Sequence, residues 1–297
     1  MIHLRFSFVL LTFCLSANRL PADGVGRNFH IYSLYHVGFW VRDIGKSRAF
    51  YKTYLGFDEP YGLNHPDGSL QLVVMKVNER QVIYLFPNAS KILPNGDNLD
   101  HLGLETDNVA GLRDYLAIRG VGVGPVQRAR IGDLILTVRD PDGHAIEFTQ
   151  FEPEGQLLKH QGEGLATTRI SKHLLSATIA VANEGLSLHF YHDILGFKEI
   201  RQDGRAGGAP SAIRLRVPDG TDYFDLQTYE KKLGAEPPRA VAQFCLEVPD
   251  AAEATLTLTQ RAKECRFPPP IVENKQEISC LDPDGARVVL LEDARRQ

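Results

Sequence analysis

The chain contains two near-copies of one short segment. Arg48–Phe57 reads RAFYKTYLGF and Leu188–Phe197 reads LHFYHDILGF, so that Phe50, Tyr51, Leu55, Gly56 and Phe57 stand opposite Phe190, Tyr191, Leu195, Gly196 and Phe197. A second pair follows, RDPDG at Arg139–Gly143 and LDPDG at Leu281–Gly285. Both pairs are separated by about 140 residues, which points to two units of one architecture rather than one large domain. We place the units at 31–153 and 172–294. The intervening residues 154–171 are polar, glycine-containing and aperiodic, and read as a linker.

A subtler repeat lies inside each unit. Tyr35–Val41 (YHVGFWV) is rich in aromatic and β-branched residues and reads as a strand. Ile44–Leu55 has helical apolar spacing, with Asp43 as N-cap and Gly56 as the stop. Leu70–Val77 and Arg80–Phe86 read as strands across a turn. The order then restarts, with strand Asp100–Glu105, helix Val109–Arg119, and strands Asp133–Arg139 and His144–Phe151 joined by the Asp-Pro-Asp-Gly turn. The second unit runs likewise, from strand Leu175–Ala182 and helix Leu186–Leu195 to strands Glu277–Leu281 and Ala286–Leu291. The fold class expected is α+β.

Composition excludes some partners. Charged residues make up 24% of the chain and the net charge is −4, so nothing electrostatic calls for nucleic acid or an anionic membrane. Phe6–Ala17 is apolar for about a dozen residues, too short to span a bilayer comfortably, and follows the cation Arg5. Residues 1–22 therefore read as a signal peptide, which predicts a secreted or periplasmic mature protein without a membrane anchor. Of four cysteines, Cys14 falls in that leader, leaving Cys245, Cys265 and Cys280, among which sequence selects no disulfide pair.

The segments HVGFWV…SRAFYKTYLGF, DHLGLETDN…LRDYLAIRG and DPDGHAIEF together resemble the vicinal oxygen chelate superfamily, which includes glyoxalase I, extradiol dioxygenases, fosfomycin-resistance transferases and bleomycin-resistance proteins. The resemblance implies paired βαβββ modules, two per unit, curling an incomplete barrel around a cavity. It also implies a metal held near the start and end of each module. In the first unit those positions are His36, Tyr84, His101 and Glu147, with Tyr84 standing where glyoxalase I-like sequences have a carboxylate.

Strand periodicity supports the same residues. Alternation puts His36 on a face with Leu34, Gly38 and Trp40, and Glu147 on one with Ala145 and Thr149. A carboxylate inside the apolar run AIEF is costly unless paired or metal-bound. Two histidines and one carboxylate suit Fe(II), favoured here, or Mn(II), and Zn(II) or Ni(II) would also accept them. Tyr84 is the expected catalytic hydrogen-bond donor or proton relay. In the second unit the corresponding residues are Ser176, Asp225, Gln243 and Val289, which make no metal site, so that unit reads as a degenerate copy. The ligands stay together only if the first unit closes on itself or exchanges modules with the first unit of another subunit; self-closure is expected, and a homodimer is allowed.

Other residues read more plainly. His189 and His192 belong to a solvated helix face, and His144 to an exposed turn. Asp140, Asp142, Asp282 and Asp284 are turn residues, because the unit without a site also has them. Arg128 and Arg130 have surface roles or meet an anionic substrate.

The function expected is that of a metal-dependent enzyme acting on a small molecule with vicinal oxygens, foremost an extradiol-type dioxygenase. Glyoxalase-type or fosfomycin-resistance-type lyase, isomerase or transferase chemistry is the alternative, and ligand sequestration of the bleomycin-resistance type the third. Two departures from the extradiol pattern stand out. Thr137 replaces a tyrosine, and Ile131–Leu136 lacks the additional histidine.

Overall fold

The computed structural model describes residues 26–93, 97–200, 212–229 and 242–292. The leader read at 1–22 lies outside them. The first unit forms one sheet of eight strands: β1 (Ile31–Val41), β2 (Gly62–Asn64), β3 (Leu70–Lys76), β4 (Val82–Pro87), β5 (Leu99–Thr106), β6 (Gln127–Arg128), β7 (Leu134–Arg139) and β8 (Ala145–Gln150). Their order is β2-β3-β4-β1-β5-β8-β7-β6. Central β1 and β5 are antiparallel, while β4 runs parallel to β1 and β8 parallel to β5. The two modules are therefore related by a pseudo-two-fold axis between β1 and β5.

The second unit repeats this with β9 (His173–Val181), β10 (Lys198–Ile200), β11 (Ala212–Arg216), β12 (Tyr223–Thr228), β13 (Gln243–Val248), β14 (Ile271–Val272), β15 (Glu277–Leu281) and β16 (Arg287–Glu292). Its order is β10-β11-β12-β9-β13-β16-β15-β14. The modules of each unit pair with each other, as self-closure requires.

Helices cover one face of the sheets. Asp43 caps α1 (Ile44–Arg48), which widens into a π-helical turn over Ala49–Tyr54. The expected regular helix is thus only half α. The wider turn lets the consecutive residues Phe50 and Tyr51 both be fully buried. Gly56 then reverses the chain at φ +83°, where a Cβ would also meet the Thr168 carbonyl at 2.4 Å. The first unit's other long helix is α2 (Val109–Ile118). The second unit has the same π turn, and its α4 (Ala251–Cys265) packs against the first unit's π turn, where Phe50 and Phe267 meet edge to face at 5.4 Å.

One buried cluster spans both units. It takes Val37, Phe39 and Val41 from β1 and Ala177, Ile179 and Val181 from β9, with Phe39 and Phe244 at 5.6 Å. The opposite faces carry separate clusters, Tyr35, Tyr61, Val74, Tyr84 and Ile131 among the residues of the first unit and Leu175, Cys245 and Val289 in the second. Each sheet therefore gives one face to a shared core and keeps the other for its own concavity.

Two further sequence expectations change. Leu34 does not share a face with His36: it packs in the shared core, because β1 skips one residue of register between Leu34 and His36. That bulge at Tyr35 re-aims the strand. The linker 154–171 packs against the first unit. Its α3 (Gln156–Lys159) buries Leu157 among the first unit's concave residues, and the buried Lys76 ammonium donates to the carbonyls of His160 and Glu163 at 2.7 and 2.9 Å. His144 is half-buried and bonded to Asp140 at 2.8 Å, instead of exposed. Cys245, Cys265 and Cys280 are free thiols. Among the described residues no helix is long and apolar enough to cross a membrane.

Candidate metal centre

The pairing of β1 with β5 aligns two His-x-Gly segments in opposite directions. His36 of His36-Val37-Gly38 lies beside Gly103, and His101 of His101-Leu102-Gly103 lies beside Gly38. Tyr84 on β4 pairs with Gly38, and Glu147 on β8 pairs with Gly103. The pseudo-two-fold axis thus relates His36 to His101 and Tyr84 to Glu147. Each glycine makes room for the imidazole across from it. A Cβ on Gly103 would lie 2.1 Å from His36 Cε1, and one on Gly38 would lie 3.0 Å from His101 Cε1.

One ligating atom from each of His36, His101 and Glu147 falls within 4.8 Å of the others. The imidazoles meet edge to face at 4.6 Å, and His36 Nε2 is 3.8 Å from Glu147 Oε1. His36 is fully buried, yet neither ring nitrogen has a hydrogen-bond partner. Such an orphaned buried group is costly unless something outside the chain satisfies it. Burial, reinforced by the charge of His101, holds the His36 pKa well below its ordinary value, so the ring is neutral and able to donate a lone pair.

His101 differs from His36. Its Nδ1 pairs with Asp100 at 2.7 Å, which leaves Nε2 for a ligand and fixes the ring. Burial opposes its charged form, but the Asp100 hydrogen bond and the charge of Glu147 outweigh this and raise its pKa. Burial likewise raises the pKa of Glu147, against the pull of His101 and of the Thr149 hydroxyl. A neutral imidazole, a second imidazole oriented by a carboxylate and a buried carboxylate form a donor set able to hold a divalent ion.

Tyr84 packs against this group instead of completing it. Its ring lies 4.4 Å from His36, and its hydroxyl is hydrogen-bonded to that of Tyr35. Burial raises the pKa of both phenols, so both stay protonated at neutral pH. His36 is thereby enclosed by aromatic rings. Tyr84, His101 and Glu147 line a cavity of about 810 Å³, together with Phe86, Arg130, Ile135 and Thr137, among others. Ala180 and Tyr229 of the second unit form part of its rim.

The second unit's concavity is filled by the chain itself. Register places Ser176 beside Cys245 and Thr178 beside Gln243 and Asp225, so side chains occupy the positions of both glycines. The Arg214 guanidinium makes a forked pair with Asp225 at 2.7 and 2.9 Å, and Ser176 donates to Asp225 at 3.0 Å. Gln243 donates to Thr178 at 3.2 Å. A protein cation stands here, where the first unit gathers His36, His101 and Glu147.

The remaining candidates fall outside the centre. His189 and His192 are exposed and bond to Asp193. Asp140 and Asp282 are turn residues with a second partner: Tyr191 of the second unit donates to Asp140 at 2.9 Å, and Tyr51 of the first to Asp282 at 3.0 Å. Asp142 accepts from the Ala182 N–H and Asp284 pairs with Arg42, again across the units. Arg128 pairs with Glu152, while Arg130 lines the cavity. Sequence reading passed over Gly38, Gly103, Tyr35 and Arg214. The duplicated His-x-Gly was the visible signal for the glycines; the others depend on register.

Solved structures share this fold. The Mn(II)-bound glyoxalase from Novosphingobium aromaticivorans superposes with a TM-score of 0.62 at 15% identity, over 89% of this chain and 83% of that one. Homoprotocatechuate 2,3-dioxygenase from Arthrobacter globiformis gives 0.66 at 14% identity, over 93% and 84%. The 2,3-dioxygenase LapB from Pseudomonas sp. KL28 gives 0.60 at 16%, over 89% and 92%. At such identities the likeness is one of fold. No curated protein sequence matches this chain. The sequence pattern of one superfamily matches it twice, over 33–148 and 173–290, which are the two sheets described above. Through both halves, the chain belongs to the Glyoxalase/Bleomycin resistance protein/Dioxygenase superfamily.

Proposed function

We propose that the protein is a metal-dependent enzyme that binds a small substrate through two adjacent oxygens, with His36, His101 and Glu147 as the metal ligands. The observation that carries this reading is the convergence of three donors within 4.8 Å beside a cavity, with both His36 nitrogens buried and unpartnered. Fe(II) is the favoured ion, and Mn(II), Zn(II) or Ni(II) suit the same donors. Bound there, a divalent ion supplies Lewis acidity to the substrate oxygens and leaves positions for them.

The chain's own residues do the rest. Asp100 holds the His101 ring in place. Gly38 and Gly103 leave room for the imidazoles across from them. Tyr84, kept protonated by burial, is proposed to donate a hydrogen bond rather than act as a base. Tyr35 and Tyr84 pack around His36 and keep it buried.

Extradiol-type ring cleavage is the reaction we favour, because the neighbours in fold include two ring-cleaving dioxygenases and the donor set suits a redox metal. One observation favours a second reading. The cavity wall on β7 presents Ile135 and Thr137, neither of which is an acid or base at neutral pH, which fits lyase or isomerase chemistry of the glyoxalase type. Oxygen uptake by Fe(II)-loaded protein with a panel of catechols separates them. Stoichiometric uptake with formation of a yellow ring-opened product supports cleavage. Tight catechol binding without uptake moves the assignment to the second reading, and no metal-dependent binding overturns both.

A further inference from the structure

We propose that the substrate of this centre carries a carboxylate-type anionic group, received by Arg130 and Arg139 at the cavity mouth. The inference rests on the functional reading above and adds a substrate class to it.

Strand β7 turns Ile135, Thr137 and Arg139 toward the cavity, the alternation expected along a strand. Thr137 is the register partner of Glu147, so Arg139 stands one strand repeat, about 7 Å, beyond the level of the metal ligands. Arg130 comes from the turn before β7 and reaches across the mouth. It bonds the Gln71 side chain on β3 and the Asn64 carbonyl on β2.

Position and charge balance together single these two residues out: Arg119, Arg169 and Arg261 also donate only to carbonyls, but they do not line the cavity. Arg48, Arg80, Arg214 and Arg287 each pair with a carboxylate, as does Arg128 two residues from Arg130. Among the described residues neither Arg130 nor Arg139 has a carboxylate within ion-pair distance; the Arg139 guanidinium donates only to the Gly143 carbonyl, at 3.0 Å. The carboxylates on the same wall are engaged elsewhere. Asp100 holds His101 at 2.7 Å, Asp142 accepts the Ala182 N–H at 2.9 Å, and Asp97 accepts the Leu99 N–H at 3.0 Å.

Neutral acceptors orient a guanidinium without neutralising it, and its planar fork matches a carboxylate in bidentate fashion. The cavity wall also carries the apolar side chains of Leu63, Leu72, Phe86 and Ile135. The ligand that fits has adjacent oxygens at one end, an apolar body and a carboxylate at the other.

The test uses full-length protein loaded with Zn(II), which prevents oxidative turnover, and calorimetry with 3,4-dihydroxybenzoate and 4-methylcatechol. The carboxylated diol is expected to bind about tenfold tighter or better, a gain of the size that charge-assisted hydrogen bonds give. In Arg130→Gln/Arg139→Gln protein the ratio of the two affinities should fall to near one, with zinc content unchanged. Equal affinities in the parent protein, or a ratio that survives the double substitution, overturn the proposal while leaving the metal centre standing. If neither diol needs zinc to bind, the metal reading fails instead. Benzoate, which has no diol, then judges the arginines alone: binding lost in the double variant supports them, and no binding by the parent protein overturns the proposal.

Discussion

At the scale of single residues, the centre depends on what is missing from Gly103 as much as on what His36 provides. A methyl group there would stand 2.1 Å from the imidazole, so Gly103→Ala must turn His36 away. We expect metal affinity to fall by at least about tenfold and the melting temperature to drop, because the ring is fully buried among Tyr35, Tyr84 and His101 and its displacement must disturb them. Unchanged metal content in this variant would mean that the cradle has no part in binding. Tyr84→Phe is expected to keep the metal and lose about 1 kcal/mol, the worth of its hydrogen bond to Tyr35. Denaturant titration measures that loss. His36, His101 and Glu147 were legible because each is a polar residue set into an apolar strand. The face of Leu34 was not, since a one-residue bulge cannot be told from regular alternation before its partner strand is known.

At the scale of elements, β1, β3, β4, β5, β7 and β8 were readable from their composition, and so were their counterparts in the second unit. Strands β2, β6, β10 and β14 were not, because two or three residues are too few to show a period. The π turns were hidden as well, since the spacing of Phe50, Tyr51, Tyr54 and Leu55 satisfies an α-helix equally. The pairing of β11 with β12 carries a prediction of its own. Arg214 and Asp225 are both largely buried, so Asp225→Ala leaves a guanidinium without its counter-ion. That change should cost about 3 kcal/mol of stability, read by chemical denaturation, and should create no metal site. A loss within experimental error would show that the pair is incidental to the second unit's fold.

At the scale of the molecule, the segments that repeat along the chain turn out to face each other. Tyr51 of one unit meets Asp282 of the other, and Tyr191 meets Asp140. The DPDG aspartates therefore both shape a turn and bind the opposite unit, which explains why the unit without a ligand cluster retains them. Sequence showed the turn and could not show the partner. A further latch is His173, held between Asp222 and Glu247 at 2.7 and 2.8 Å, while Asp222 also accepts the Leu34 N–H and the Gln81 amide of the first unit. Burial disfavours its charged form, but the two carboxylates prevail and raise its pKa above 6.5. A raised folded-state pKa means that its stabilisation is present in full below about pH 6.5 and is lost as pH rises through the folded value. The melting temperature should fall over that rise, and His173→Gln should remove this dependence; a parallel fall in the variant would assign it to other groups. The contrast between the two concavities implies that the first unit holds a metal and the second holds none. Elemental analysis of protein purified without oxygen, with His101→Ala and Gln243→Ala beside the parent, decides this. About one divalent ion per chain is expected, lost in His101→Ala and kept in Gln243→Ala. No ion after reconstitution, or an ion that survives His101→Ala, would contradict it.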